Sequence, residues 1–258
     1  MCVTVGMIEE MLNSLAPMET AEGYDNVGAL VGKRDQKVTK ILVALDATMD
    51  VAKEAEKIGA ELIVTHHPLM FSPFHALTDG NYEGRLIRRL TRENISLIAA
   101  HTNLDQAPGG INDTLAAACG LTDVTGEGFF RSGLLPKPMT VREFADELCG
   151  RLRTTVRVMG PEDRIIRKAG LCSGGGSDMW HDAVETGCDA FVSGEIKHHW
   201  GLALADSSVI GFECGHFATE EPGVRALAAA LQKELNQVEC KVRIYVSGIS
   251  AYSFPRQP

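Results

Sequence analysis

The sequence predicts an α/β protein of two domains, each a mainly parallel or mixed sheet flanked by helices. Three observations carry this reading. In the first half, short apolar runs (Ile41-Leu42-Val43-Ala44, Leu62-Ile63-Val64, and residues 95–100) alternate with segments of helical spacing. That order builds a parallel sheet with crossover helices. At Thr125-Gly126-Glu127-Gly128 the texture turns glycine-rich and a second series of strands and helices begins. The chain also has 258 residues, 45% of them hydrophobic, more than one average domain requires. The expected domains are residues 1–127 with 217–258, and residues 128–216.

Residues 5–15 read as an amphipathic helix and 40–45 as a strand. Residues 49–58 carry Val51, Ala55 and Ile58 on one helical side. A strand over 61–65 runs into His66-His67-Pro68. A basic amphipathic helix (83–92) and a strand (95–100) follow, then a turn at Pro108-Gly109-Gly110 and a helix over 111–119. In the second half Pro136, Pro138 and Thr140 mark a loop, with Thr140 an N-cap for a helix over 141–152. A strand over 165–172 enters Gly174-Gly175-Gly176-Ser177-Asp178, a tight turn with Ser177 or Asp178 as N-cap of the next helix, 180–186. A strand (190–193), a helix (198–206), a strand (209–212), a long amphipathic helix (221–235) and a closing strand (242–246) complete the pattern. Neither an internal repeat nor a low-complexity tract interrupts it.

The net charge of −9 argues against a generic basic surface for nucleic acid. The seven cysteines are odd in number and irregularly spaced, with no Cys-x-x-Cys, so reduced thiols, mostly small buried hydrophobes, are expected. Residues 1–4 lack the basic start of a signal peptide. No apolar run approaches the roughly 20 residues that span a bilayer. A cytoplasmic protein is the expectation.

The chemistry gathers where strands should stop, the edge that lines the ligand crevice of an open α/β sheet. His66 and His67 follow one apolar run. His101 and Asp105 follow a second, His216 and Glu220 a third. Adjacent residues on an extended backbone point opposite ways. His66 and His67 therefore serve one ion only if the chain turns there, and otherwise serve two. The spacings His101-x-x-x-Asp105 and His216-x-x-x-Glu220 match a helical turn without requiring a helix. A carboxylate can bridge two cations. Histidines with Asp and Glu suit zinc, iron or manganese better than calcium or magnesium. Such a set points to two divalent ions. The 174–177 loop lacks the Gly-Lys-Ser/Thr ending of a phosphate-binding P-loop. Lys197, at a strand end beside His198 and His199, reads either as a group that holds an anionic part of the substrate or as a solvated charge.

These segments together resemble a known family. His66-His67-Pro68, His101-Thr102-Asn103-Leu104-Asp105 and Gly215-His216-Phe217-Ala218-Thr219-Glu220 are similar to the three motifs of the Nif-three-like proteins, often called GTP cyclohydrolase 1 type 2 homologs. Tyr24-Asp25-Asn26-Val27-Gly28 resembles the family's aromatic-Asp-Asn-x-Gly element, with Tyr24 where tryptophan is common. Ser193-Gly194-Glu195-Ile196-Lys197 resembles its Gly-acidic-x-Lys segment, with Glu195 where aspartate is common. The chain looks like the short form, without the domain inserted in longer relatives.

The resemblance implies a dinuclear metal site in the interdomain cleft. His66 and His216 would hold one ion, His67 and Asp105 the other, and Glu220 would bridge both. His101 is implied to be a ligand or a neighbouring catalytic group. A toroidal homohexamer is implied as well. The function expected is a dinuclear divalent-metal-dependent hydrolase of a small molecule, a nucleotide such as GTP, a phosphoester or a cyclic amide. The rival is a ring-shaped metal-binding adaptor without catalysis.

Overall fold

The computed structural model describes residues 2–73, 75–238 and 241–251. Along the chain the elements are α1 (Val5–Leu15), β1 (Gly28–Val31), β2 (Lys40–Ala44), α2 (Met49–Ile58), β3 (Leu62–Thr65), α3 (Tyr82–Arg92), β4 (Ser96–Ala99), α4 (Thr102–Gln106) and α5 (Ile111–Ala118). Then come β5 (Thr122–Thr125), β6 (Arg131–Thr140), α6 (Val141–Leu152), β7 (Arg157–Met159), β8 (Ile165–Cys172) and α7 (Trp180–Glu185). The last are β9 (Ala190–Ser193), α8 (His198–Ala205), β10 (Ile210–Glu213), α9 (His216–Gln237) and β11 (Arg243–Val246).

These form two compact units, Met1–Leu104 with Leu227–Pro258, and Asp105–Ala226. Their boundaries fall at 104/105 and 226/227, where the sequence suggested 127/128 and 216/217. Among the described residues no helix is long and apolar enough to cross a membrane.

The first unit holds a five-stranded sheet in the order β1-β4-β3-β2-β11. β4, β3, β2 and β11 run parallel, and β1 joins antiparallel at the edge. β3 and β4 are buried throughout, as parallel strands covered on both faces must be. Leu42, Ile63 and Leu97 pack with Val51 and Ala55 of α2 and with Leu86 and Leu90 of α3. α2 starts at Thr48, whose hydroxyl accepts from Val51 N, and stops at Gly59 in the left-handed region (φ +69°).

The second unit holds a six-stranded sheet, β5-β6-β8-β9-β10-β7, parallel through β8, β9 and β10 and antiparallel elsewhere. One face packs on α6, where Phe144 meets Phe212 edge-on at 5.0 Å. A second cluster joins Phe191 to Ala183 of α7, Leu204 of α8 and Val209.

Several elements differ from expectation. Pro136, Pro138 and Thr140 lie within β6 rather than in a loop. The strand tolerates them because its pairing with β8 loses register between Leu134 and Met139, where no ladder donor is demanded. β1, β5 and β7 carried no readable signal. They are three- or four-residue edge strands, and β5 is exposed at every position. α9 begins at His216 rather than at 221 and runs across Pro222, a residue that normally marks a first turn. Gly176 precedes the 3₁₀ turn Ser177–Met179 and Met179 precedes α7, so neither Ser177 nor Asp178 is the cap. The thiols of Cys119, Cys172, Cys188 and Cys214 are buried, Cys149 is half-buried and Cys2 exposed; Cys240 lies outside the described residues.

Candidate metal centre

In the first unit the imidazoles gather at the carboxyl ends of β3 and β4. The β2–β3 ladder continues past the strands, with His66 N donating to Ala44 O and His67 N to Leu45 O at 3.0 Å. The chain then bends, and the Thr65 hydroxyl donates to His67 O at 2.8 Å. This bend is the turn that adjacent histidines need if both are to face one region. The ring centroids of His66 and His67 are 4.9 Å apart, and His101 lies 5.1 and 5.5 Å from them. Each offers a ring nitrogen, and the three nitrogens lie within 4.8 Å of one another.

Each of these rings is fixed by its Nδ1. His66 Nδ1 lies 2.9 Å from Ala100 O, His67 Nδ1 2.8 Å from Asp46 Oδ1, and His101 Nδ1 2.8 Å from Asp25 Oδ1. A carbonyl or carboxylate oxygen only accepts, so Nδ1 must carry a proton, which in the neutral ring leaves the lone pair on Nε2. The Asp25 side chain is fully buried, and its other oxygen accepts from the Thr102 backbone and hydroxyl. Burial alone would raise its carboxyl, but the hydrogen bonds from His101 and Thr102 outweigh that and hold it well below the usual carboxylate range. Asn26 Nδ2 ties this loop to Met70 O at 2.6 Å. Asn103 receives His101 N and donates to Ala16 O, fixing the start of α4.

In the second unit the helical spacing is realised. His216 opens α9 and Glu220 follows one turn later, with His216 Nε2 3.2 Å from Glu220 Oε2. His216 Nδ1 lies 3.1 Å from Glu195 Oε1, again requiring the Nδ1–H form if the ring is neutral. Two acceptors then face each other, an arrangement that a proton or a cation between them relieves. Two metal–ligand bonds of about 2.1 Å at a right angle put donor atoms roughly 3 Å apart. Asp105, in α4, offers a carboxylate oxygen within 4.8 Å of one from Glu220. Asn112, fully buried, donates to Asp105 O at 3.1 Å and accepts from Ser173 N at 2.8 Å, binding α4 to the end of β8.

The glycine loop has a part in this. Gly174 sits at φ +54°, its N–H donates to Thr219 Oγ1, and a Cβ there would lie 2.2 Å from Glu220 Oε1 and 3.1 Å from His216 Nε2. Gly194 is equally constrained: a Cβ would meet Gly174 O, Thr219 Oγ1 and His216 Cα, all within 3.0 Å. Lys197, by contrast, is exposed at the start of α8, and among the described residues its ammonium forms no ion pair. His198 and His199 are exposed too, His199 packing on Trp200.

The histidines and buried carboxylates are donors that could hold a metal ion. The sequence marked these candidate donors but not the groups that hold their rings. Asp46 had no motif to mark it. Asp25 and Glu195 stood inside recognised segments without an assigned partner.

Residues 3–251 match the family model described as Duf34/NIF3 (NGG1p interacting factor 3). The chain belongs to the NIF3 family. Among its NIF3 relatives is the GTP cyclohydrolase 1 type 2 homolog of Clostridium perfringens, 35% identical over 239 residues, covering 89% of this chain and 91% of that protein. The homolog from Streptomyces coelicolor is 34% identical over 251 residues, 92% of this chain and 88% of that one. The fold is also similar to that in the crystal structure of Staphylococcus aureus hypothetical protein SA1388. It superposes with a TM-score of 0.94 at 27% identity, covering 99% of this chain and 100% of that one.

Proposed function

We propose that this NIF3 protein is a divalent-metal-dependent hydrolase with a dinuclear centre. His66, His67, Asp105, His216 and Glu220 would be the ligands and Glu220 the bridge. The observation that carries the reading is the uniform state of the imidazoles. His66, His67 and His216 each direct Nδ1 at a protein oxygen, so in the neutral ring Nε2 is the lone-pair atom, as ligation demands. When bound, two divalent ions supply Lewis acidity to a water and to the substrate.

The remaining steps belong to the chain. His101 is the proposed acid–base group: Nε2 takes a proton, and the Asp25 carboxylate stabilises the imidazolium through Nδ1–H. Lys197 would pair with an anionic part of the substrate. The relatives' name makes GTP the first substrate to try, and phosphoesters and cyclic amides draw on the same apparatus. We also propose, from the family resemblance, that the working form is a homohexamer.

The test begins with protein purified without a metal-affinity tag, assayed by elemental analysis, then loaded with zinc, iron or manganese and screened on these substrates. Two ions per chain are expected, with turnover that vanishes on chelation and returns with metal. Glu220→Ala should lose both ions, and Lys197→Ala should raise KM with metal content unchanged. Fewer than one ion per chain after loading, or no turnover with any metal, would sink the hydrolase reading.

A further inference from the structure

We infer that Asp46 is a positioning residue for His67: its carboxylate fixes the Nδ1–H tautomer and aims Nε2 toward His66 and His101. The inference rests on the reading of this cluster as metal-binding. Parallel pairing sets up the contact. β2 and β3 are in register with Ala44 beside Thr65, and the ladder continues to Leu45 and His67. The residue after Leu45 therefore comes alongside His67, and Asp46 Oδ1 stands 2.8 Å from its Nδ1. The turn that carries Asp46 is pinned from outside, because Tyr82 at the start of α3 donates its hydroxyl to Ala47 O at 2.5 Å.

Asp46 is not needed for packing. Its side chain is 36% exposed, and it lies outside the first unit's apolar cluster. A charged, partly exposed group held on one histidine nitrogen does little for the fold and much for the ring. It raises the basicity of Nε2 and restricts rotation of the imidazole. At the same nitrogen His66 meets a neutral carbonyl, Ala100 O.

The experiment uses the full chain, wild type against Asp46→Ala and Asp46→Asn, with cobalt(II) as the probe. Long-range ¹H–¹⁵N spectra of the metal-free protein should show His67 as the Nδ1–H tautomer in wild type. That form should be lost in Asp46→Ala and kept in Asp46→Asn, whose amide oxygen still accepts. Cobalt affinity should fall about 10–100-fold in Asp46→Ala and recover in part in Asp46→Asn. The metal-free melting temperature should stay within about 2 °C of wild type. An unchanged tautomer and cobalt affinity in Asp46→Ala would overturn the assignment, and so would Asp46→Asn behaving like Asp46→Ala. If wild type binds no cobalt, the metal reading fails, and the tautomer comparison still decides whether Asp46 orients His67.

Discussion

Gly174 combines two constraints that no other residue type meets. Its φ of +54° is left-handed, and any Cβ would overlap the Glu220 carboxylate. Gly174→Ala should therefore cost about 1–3 kcal/mol and displace Glu220, lowering metal content as well as stability. Gly175→Ala is the control, since nothing lies within 4 Å of a Cβ added there. Thermal melts with elemental analysis check the pair. Equal metal content in both variants would show that Glu220 does not depend on this glycine. The sequence displayed Gly174-Gly175-Gly176 as one undifferentiated run. It could not say that the first glycine gives room to a carboxylate 46 residues away in the chain, because that proximity arises only when β8 and α9 come together.

At the scale of elements, Glu61 ties β2 to the start of β3. Its carboxylate accepts from Thr39 N at 3.0 Å, Lys40 N at 2.9 Å and Thr39 Oγ1 at 2.8 Å. Burial opposes ionisation, but these donors outweigh it and lower the pKa. A depressed carboxylate stabilises the fold fully above its unfolded value, about 4.3. That contribution is lost as pH falls through the folded value. Glu61→Gln should thus cost about 1–2 kcal/mol at pH 7 by urea unfolding. The gap to wild type should shrink in acid below about pH 4. An equal gap at both pH values would show that the ionised form is not the source. Local signals were legible at this scale wherever they were strong. Thr140 caps α6 in a full capping box with Glu143, and α1, α2 and α6 occupy the residues their periodicity marks. The edge strands β1, β5 and β7 were not legible, since a short strand with one wet face has no apolar run to betray it, whereas the edge strand β11 was.

For the whole molecule, the proposed hexamer predicts a solution mass six times the 27.8 kDa chain. Light scattering at micromolar concentration checks this, and a monomer would count against it. Symmetric assembly would also confine the sites to an enclosed space, where solvent access is limited.

The sequence by itself determined the α/β class, the order of the main strands and helices, and which residues are the candidates for the chemistry. These depend on periodicity, capping and motif spacing, all local along the chain. Only the tertiary structure decided which oxygen meets each Nδ1, that the backbone bends at His66 and His67, and that Asp46 stands beside His67. Parallel β-pairing brings residues 21 positions apart to hydrogen-bond distance, and nothing in either segment alone records that register.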